Sequence, residues 1–195
     1  MKLSAIRATR FRSLVLSLVL TLLCAVIFVI KLGHLEAQLF QQAAPTPGPA
    51  VNRPAPTFSL RTLDGKMVSL ETYRGKPLIM NFFASWCDPC REEMPLINEL
   101  AANGAKQGYS VLGIAVEDTH AAVTEFAKEA KLEFSIALDL NSTVKRSYRI
   151  FGPPATFIVD PNGIIREIVL GPVTSERARD ALKKAGIALS DDGKR

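Results

Sequence analysis

Short runs of apolar residues, separated by polar turns, predict six strands. They lie at residues 58–60, 67–70, 78–84, 111–116, 156–159 and 164–170. The runs at 78–84 and 111–116 are almost continuously apolar, which is typical of strands covered on both faces. Asp64 and Gly65 separate the first two runs, and a turn at 160–163 separates the last two. Each of these pairs is therefore predicted to form a β-hairpin.

Helices are predicted between these strands, those at 122–130 and 178–185 from apolar residues spaced three and four apart. The predicted helices cover residues 91–103, 122–130, 141–149 and 178–185. Either Asp118 or Thr119 can cap the second helix, and Gly186 ends the last one. Strands that alternate with helices tend to pair in parallel, and the final hairpin adds antiparallel strands. The chain is therefore predicted to be an α/β protein, with a mixed β-sheet and helices on both faces.

A longer apolar segment precedes these elements. Residues 13–30 carry no charge and lie between Arg12 and Lys31. As a helix this segment spans roughly 27 Å, which is close to the thickness of a bilayer core. Four positive charges precede the segment and few follow it. Residues 1–12 are therefore predicted to be a cytoplasmic basic segment and 13–32 a transmembrane signal-anchor helix.

The alternative for this segment is a cleaved signal peptide, whose apolar region is about 7–15 residues long and ends near small residues. Ala43 and Ala44 are small, but they lie well beyond the end of the apolar run. Residues 33–53 are rich in Pro, Ala and Gln and are predicted to be a tether. The main domain is expected to cover 54–190, followed by a flexible tail at 191–195.

The net charge of the chain is +5, but residues 1–44 hold five basic residues and one acidic residue. The rest of the chain is nearly neutral and has no broad basic face, so nucleic-acid binding is not expected. Cys24 lies in the apolar segment and is expected to be a buried apolar filler. Cys87 and Cys90 then form the only cysteine pair of the main domain. A disulfide between them closes too small a loop to add much stability, which indicates a chemical role.

The two cysteines lie in the motif Trp86-Cys87-Asp88-Pro89-Cys90, between a predicted strand and a predicted helix. Pro89 suits the first turn of a helix, which places Cys87 at the helix N-terminus, where the helix dipole stabilises a thiolate. We expect Cys87 to attack a substrate disulfide and Cys90 to resolve the mixed disulfide. Asp88 adds negative charge beside the Cys87 sulfur, which disfavours the thiolate and favours a reductant. No cofactor besides the redox-active disulfide Cys87–Cys90 is expected.

The motif has two bland alternatives, a structural zinc site for the cysteines and a core position for Trp86. A structural zinc site needs four ligands, and the main domain offers only His120 as a further imidazole and no other cysteine. We therefore expect no metal, and expect His120 to lie on the surface at the start of a helix. Trp86 could be a core aromatic residue, but its place beside the cysteines predicts that it covers the disulfide.

Two segments of the chain resemble a known family. Residues 81–95, which include the cysteine pair and Pro95, resemble the active-site segment of thioredoxin-fold proteins. The resemblance is closest to the membrane-anchored TlpA/ResA-type thiol–disulfide oxidoreductases. Residues 152–160 resemble the loop that carries the cis-proline of this family, which falls on Pro154. The resemblance implies a thioredoxin-like fold with an N-terminal β-hairpin and a central βα insertion, which falls within 111–149.

The motif and the resemblance together predict two sets of site residues. The predicted catalytic residues are Cys87, Cys90, Glu93 and Pro154. The predicted substrate-binding residues are Trp86, Asp88, Pro89 and Pro153.

The chain departs from the thioredoxin pattern at two positions. Asn81 stands where thioredoxin has a buried Asp, and an amide cannot take a proton from Cys90. Glu93 matches the active-site glutamate of ResA-like proteins and is the predicted base. Its alternative is a solvated charge on the helix face, which is also the expectation for Glu92. Pro153 has no N–H to donate to a substrate strand, so we expect a weaker or more selective hold on the substrate.

The resemblance also implies partners and a location. Electrons would come from a membrane thiol donor of the DsbD or CcdA type. The substrates would be protein disulfides, such as that of apocytochrome c during cytochrome c maturation, or copper-site assembly proteins. The protein would be a single-pass protein of the bacterial inner membrane, with its main domain in the periplasm or otherwise outside.

Two functions of other classes remain open. One is a copper(I) chaperone that binds the metal on the two thiolates, although no His or Met cluster accompanies the cysteines. The other is a thiol peroxidase of the peroxiredoxin class, whose nucleophile lies in a Thr-x-x-Cys setting. Here Ala84 stands three residues before Cys87.

Overall fold

The computed structural model describes residues 20–32 and 49–187. The chain divides into two units, residues 1–46 and residues 47–195. In the first unit, residues 20–32 form helix α1, and their side chains are exposed. Within the described residues, we find no helix that combines the length and the apolar character needed to cross a bilayer.

The N-terminal predictions reach beyond these residues. The predicted anchor at 13–32 begins outside the described part of the chain. Residues 1–12 lie entirely outside it. Most of the tether at 33–53 and all of the tail at 191–195 also lie outside it. Cys24, expected to be a buried filler, is instead exposed on α1, because the described part of its unit offers no second element to pack against it.

The main domain starts slightly before residue 54. The Asn52 N–H donates to the Ile165 carbonyl at 2.8 Å, and the Ile165 N–H donates to the Arg53 carbonyl at 2.9 Å. Pro54 continues this contact through an isolated bridge to Ile164. These backbone hydrogen bonds attach the end of the predicted tether to the sheet.

Within residues 49–187, seven strands form one mixed sheet. They are β1 (Ser59–Thr62), β2 (Met67–Ser69), β3 (Leu78–Phe83), β4 (Ser110–Val116), β5 (Ser135–Asp139), β6 (Ala155–Val159) and β7 (Ile165–Leu170). Their order across the sheet is β2-β1-β5-β4-β3-β6-β7. β3, β4 and β5 are parallel, and the hairpins β1–β2 and β6–β7 flank them with antiparallel pairing. Both predicted hairpins are confirmed.

Helices cover both faces of this sheet. They are α2 (Asp88–Gln107), α3 (His120–Glu129), α4 (Thr143–Ser147), α5 (Ser175–Lys184) and a 3₁₀ helix at Leu70–Tyr73. One apolar core joins the sheet to α2, α3 and α5, and a second joins it to α4 and the 3₁₀ helix. The predicted α/β fold with a mixed sheet between two helical layers is confirmed.

The central strand β3 shows why its sequence is almost continuously apolar. Successive side chains of a strand point to opposite faces. Ile79 and Phe83 accordingly pack in the core under α2, while Met80 and Phe82 pack in the core on the other face. Asn81 lies on the same face as Ile79 and Phe83, so β3 directs one polar side chain toward α2.

The hydrophobic pattern predicts no strand at β5, and the predicted order of elements is wrong at this point. Apolar and polar residues do not alternate clearly along this strand, because both of its faces are buried. Ile136 and Leu138 pack in one core and Ala137 packs in the other. Its last residue, Asp139, is also buried and accepts hydrogen bonds from the N–H groups of Val144 and Lys145 at 3.2 and 2.7 Å. The polar end of β5 thus serves as a cap for the first turn of α4.

Candidate active site

The two cysteines lie where β3 passes into α2. The Cys87 N–H donates to the Ala84 carbonyl at 3.2 Å, which turns the chain at the end of the strand. Cys87 is the N-cap of α2, and its Sγ accepts the Cys90 N–H at 3.3 Å. Pro89 occupies the first turn, where the absence of an N–H costs no helical hydrogen bond. This is the local geometry that the motif predicts.

The cysteines form a disulfide, with an S–S distance of 2.05 Å and a Cα–Cα distance of 5.3 Å. Cys87 retains 5% exposure and Cys90 retains none. Asp88 is exposed beside them. Cys87 is therefore the more exposed residue of the two, in the order that the proposed attacker and resolver require.

The loop before the cysteines is fixed by the end of β4. The Ser85 N–H donates to Asp118 Oδ2 at 2.6 Å, and the Ser85 carbonyl accepts from Arg91 at 3.1 Å. Of the two predicted caps of α3, Thr119 is the one observed, since its hydroxyl accepts the Ala122 N–H at 3.2 Å. Asp118 instead ties this loop to the neighbouring strand.

Trp86 is not a core residue, because 58% of its surface is exposed. Its indole Nε1 donates to the Glu117 carbonyl at 2.9 Å. Glu117 adopts a left-handed backbone conformation, with φ at 52°, and its carboxylate pairs with Lys145 at 2.7 Å. Trp86 thus lies on the surface next to the cysteine pair, anchored to the chain segment after β4. Its role in covering the disulfide or binding substrate remains a prediction.

Glu93 is buried one turn beyond Cys90 on α2, so the alternative of a solvated helix-face charge is wrong for this residue. Its Oε1 accepts from Asn81 Nδ2 at 2.7 Å, and its Oε2 accepts the Val173 N–H at 2.9 Å. Burial raises the pKa of Glu93 above its ordinary value, and the hydrogen bonds from Val173 and Asn81 offset part of that rise. Glu92, by contrast, is exposed, as predicted.

The loop before β6 lies beside the same end of β3. Ala155 pairs with Phe82 in the antiparallel register, which places Pro154 next to the strand end from which the active-site loop departs. The peptide bond between Pro153 and Pro154 is cis, at the position given by the resemblance. Pro154 is buried, and Pro153 is partly exposed. The roles of these two prolines in catalysis and substrate binding remain predictions.

A nearby residue was not singled out from the sequence. Phe151 lies in this proline loop and is 99% exposed. Phe151 follows the buried Ile150 and precedes Gly152 and two prolines, a pattern without a periodic signal, so its exposure follows only from the folded loop.

His120 is the first residue of α3 and is exposed, as predicted. In the parts of the chain that the structure describes, no three His, Cys, Asp or Glu side chains are grouped closely enough to hold a metal ion.

Comparisons with known proteins place this site in a family. Residues 51–168 match the model of the AhpC/TSA family. The thiol-disulfide oxidoreductase ResA of Geobacillus thermodenitrificans is 37% identical over 134 residues, which are 69% of this chain and 77% of that protein. The ResA of Oceanobacillus iheyensis is 34% identical and covers 86% of this chain and 83% of that protein. The chain belongs to the AhpC/TSA family, among its ResA-type thiol–disulfide oxidoreductases.

A solved structure gives the same fold for a relative of this ResA-type chain. The thiol:disulfide interchange protein of the thioredoxin family from Chlorobium tepidum is 30% identical, with a TM-score of 0.61. The likeness covers 73% of this chain and 99% of that one. The thioredoxin-like fold implied by the sequence is therefore confirmed.

Two contacts of the ResA-type site could not be found from local sequence. Val173 supplies a backbone N–H to a carboxylate 80 residues earlier, and Asp118 accepts from a backbone N–H 33 residues earlier. Each contact joins a backbone N–H to the side-chain carboxylate of a distant residue, and a backbone N–H carries no sequence motif. Asn81 carried the one available signal, a polar residue inside an apolar strand.

Proposed function

We propose that this thiol–disulfide oxidoreductase is a membrane-tethered, periplasm-facing reductant of protein disulfides. The observation that carries the proposal is the cysteine pair at the N-terminus of α2, with the more exposed Cys87 outside and a buried carboxyl, Glu93, one turn inside Cys90. This arrangement provides a nucleophile, a resolving thiol and a proton acceptor on a single helix.

The exchange begins with the reduced protein. The Cys87 thiolate attacks one sulfur of a substrate disulfide, and the first substrate thiolate leaves. Cys90 then attacks Cys87 Sγ, the second substrate thiolate leaves, and the Cys87–Cys90 disulfide remains. Two electrons have passed to the substrate, and a membrane thiol donor of the DsbD or CcdA type restores the dithiol.

Glu93 serves the second step. Cys90 must lose its thiol proton before it can attack, and residues three apart on a helix face each other. Glu93 accepts that proton, and because its pKa is raised by burial it binds the proton at higher pH than an exposed glutamate. Asn81 stands where thioredoxin has an acid and leaves this task to Glu93.

The direction of transfer is proposed from Asp88. Its exposed carboxylate follows Cys87 directly and opposes a negative charge on that sulfur. This disfavours the reduced, ionised pair and so favours donation of electrons. Replacing Asp88 by His should raise the reduction potential, measured by equilibration of the full-length protein with glutathione buffers. A lower or unchanged potential would contradict a reductant tuned by this residue.

The location is proposed from the N-terminal sequence. Residues 13–30 are uncharged and follow four positive charges, which favours an anchor with the main domain outside the cytoplasm. A tether would hold the domain close to a membrane donor and to membrane-bound substrates. Such substrates include apocytochrome c and copper-site assembly proteins. Carbonate extraction of membranes and the mass of the mature N-terminus test retention of the anchor, and a start between residues 37 and 45 would refute it.

The central experiment is a trap for the mixed disulfide. Full-length Cys90→Ala protein, expressed in cells, should hold its substrates covalently through Cys87, because the resolving thiol is missing. The captured proteins are released by reductant and identified by mass spectrometry. Cys87→Ala is the matched control and should capture far less. Equal capture by the two variants would overturn the assignment of attacker and resolver.

A further inference from the structure

One buried side-chain atom in the described residues has no hydrogen-bond partner, and it lies in this site. It is Oδ1 of Asn81, in the fully buried strand β3. The other end of the same amide makes two contacts. Nδ2 donates to Glu93 Oε1 at 2.7 Å and to Thr156 Oγ1 at 3.1 Å. An unpaired buried oxygen is costly, which disfavours this state relative to one in which the oxygen accepts a hydrogen bond.

The charge on Glu93 decides which end of the Asn81 amide can face it. An ionised carboxylate only accepts hydrogen bonds, so the 2.7 Å contact requires the amide nitrogen. A carboxyl protonated at Oε1 becomes a hydrogen-bond donor, and the amide oxygen is the end of Asn81 that can accept from it. A half-turn of the amide about its last side-chain bond exchanges the two ends and leaves the backbone in place.

Thr156 is able to serve both orientations. Its hydroxyl accepts from Asn81 Nδ2 in the structure and, by rotating, can donate to Oδ1 after the half-turn. In each orientation one end of the amide contacts both Glu93 and Thr156 while the other end contacts neither. Each arrangement makes two hydrogen bonds and leaves the other end of the amide without a partner, so the proton on Glu93 selects between them.

We propose that Asn81 is a positioning residue whose amide turns over as Glu93 gains and loses the proton of the Cys90 thiol. The inference rests on the proposed role of Glu93 for its place in the exchange. When Cys90 gives up its proton, an S–H bond breaks and an O–H bond forms on Glu93, with no change in oxidation state. Asn81 then accepts that O–H, and it donates to the carboxylate again once the proton has left.

The surroundings of Glu93 leave this amide as its main polar neighbour. Among the described residues, β3 offers Asn81, β6 offers Thr156, and the segment before α5 offers the Val173 N–H. None of these groups is charged, and no ion pair is formed by Glu93. On α2 itself, Cys90 lies one turn away, and the adjacent Glu92 is exposed.

The test is a pH titration of the reduced full-length protein by NMR. The protein carries ¹⁵N in its asparagine side chains and ¹³C in its glutamate carboxyl groups. We expect the Asn81 side-chain amide signals to shift with the same midpoint as the Glu93 carboxyl carbon, and to stop titrating in Glu93→Gln. Asn81 signals that stay fixed while Glu93 titrates would overturn the inference.

A variant gives a second readout. Asn81→Leu replaces the amide by an apolar side chain of similar size and so removes the donor to the carboxylate. We expect the Glu93 midpoint to rise by about one pH unit, and the pH–rate profile of exchange to move with it. Thr156→Val is the matched control, since it keeps the Asn81–Glu93 contact, and it should shift the midpoint less. An unchanged midpoint in Asn81→Leu contradicts the inference; if that variant does not fold, the titration of the native protein still decides.

Failure of the inference differs from failure of the proposed function. If Glu93→Gln leaves the pH–rate profile of exchange unchanged, Glu93 is not the proton acceptor. The NMR titration still asks whether the amide of Asn81 follows the proton on Glu93, and its answer does not depend on the exchange rate.

Discussion

Two buried carboxyl groups lie at opposite ends of the domain and have nearly the same exposure, but only one of them contacts a cation. Glu93 is 5% exposed and Asp160 is 6% exposed. Asp160 lies in the turn between β6 and β7, where Arg166 contacts its Oδ2 at 2.7 Å. Its Oδ1 accepts the N–H groups of Asn162 and Ile164 at 2.9 and 3.0 Å. Glu93 also accepts a backbone N–H, but an amide occupies the place of the arginine.

Because their neighbours differ, the pKa values of the two carboxyl groups shift in opposite directions. Burial raises the pKa of both carboxyl groups, but at Asp160 the N–H of Ile164, the guanidinium of Arg166 and the N–H of Asn162 outweigh it and lower the pKa. At Glu93 burial prevails and the pKa is raised. Two backbone N–H groups and a cation therefore fix the buried carboxylate of Asp160 in its charged form, where it holds a turn. An amide leaves the carboxyl able to take a proton, which the proposed exchange requires.

The largest expected effect is on the rate of disulfide exchange, which should depend on Glu93 and not on Asp160. Glu93→Gln should slow the exchange of a model protein disulfide about 100-fold, since a positioned proton acceptor contributes at least that much. Stopped-flow measurement with reduced protein gives the rate. Asp160→Asn is the matched control and should leave the rate unchanged; an equal slowing in both variants would show that the effect is structural.

The next effect separates them by stability. Asp160→Asn should reduce the free energy of unfolding by about 2 kcal/mol, because Arg166 loses the charge that it contacts while the turn keeps one acceptor. Urea titrations of the oxidised full-length protein, followed by circular dichroism, measure this loss. A loss below that of Glu93→Gln would reverse the proposed division between a structural and a functional carboxylate.

The pH dependence of stability should have opposite signs at the two groups. The raised pKa of Glu93 means that its contribution to stability is full below its ordinary value of 4.5 and is lost as the pH rises through the folded pKa. The lowered pKa of Asp160 means that its contribution is full above its ordinary value of 3.8 and is lost as the pH falls through the folded pKa. Each unit of displacement corresponds to about 1.4 kcal/mol.

The two substitutions isolate these contributions. Relative to the native protein, Glu93→Gln should gain stability as the pH rises above 4.5. The destabilisation of Asp160→Asn should shrink as the pH falls below 3.8. Unfolding titrations across this range measure both slopes, and slopes of the same sign would refute the contrast.

The smallest effect comes from making Asp160 resemble Glu93. Arg166→Gln replaces the cation by an amide, so the pKa of Asp160 should rise from its lowered value. The loss of unfolding free energy should be about 1 kcal/mol or less, because a third of the Arg166 side chain is exposed. NMR titration of the Asp160 carboxyl measures the pKa, and a pKa that does not rise would show that the backbone N–H groups alone set it.

The sequence by itself determined the features that depend on neighbouring residues. Periodicity located β3 and α2, and Cys87, Pro89 and Cys90 indicated a dithiol at a helix start, because helix capping and strand burial are set within a few positions. The same locality explains the miss at β5. This short strand is buried on both faces, and it is held in the sheet by pairing with β1 and β4, which come from distant parts of the chain.

Only the tertiary structure decided which carboxyl group is buried and what surrounds it. Glu92 and Glu93 are adjacent and chemically alike, yet the packing of α2 on the sheet exposes the first and buries the second. The partners of Glu93 come from Asn81 and Val173, 12 and 80 residues away in the chain. Desolvation and hydrogen bonding set a pKa through space, so the acid–base character of this site exists only once the distant segments have packed together.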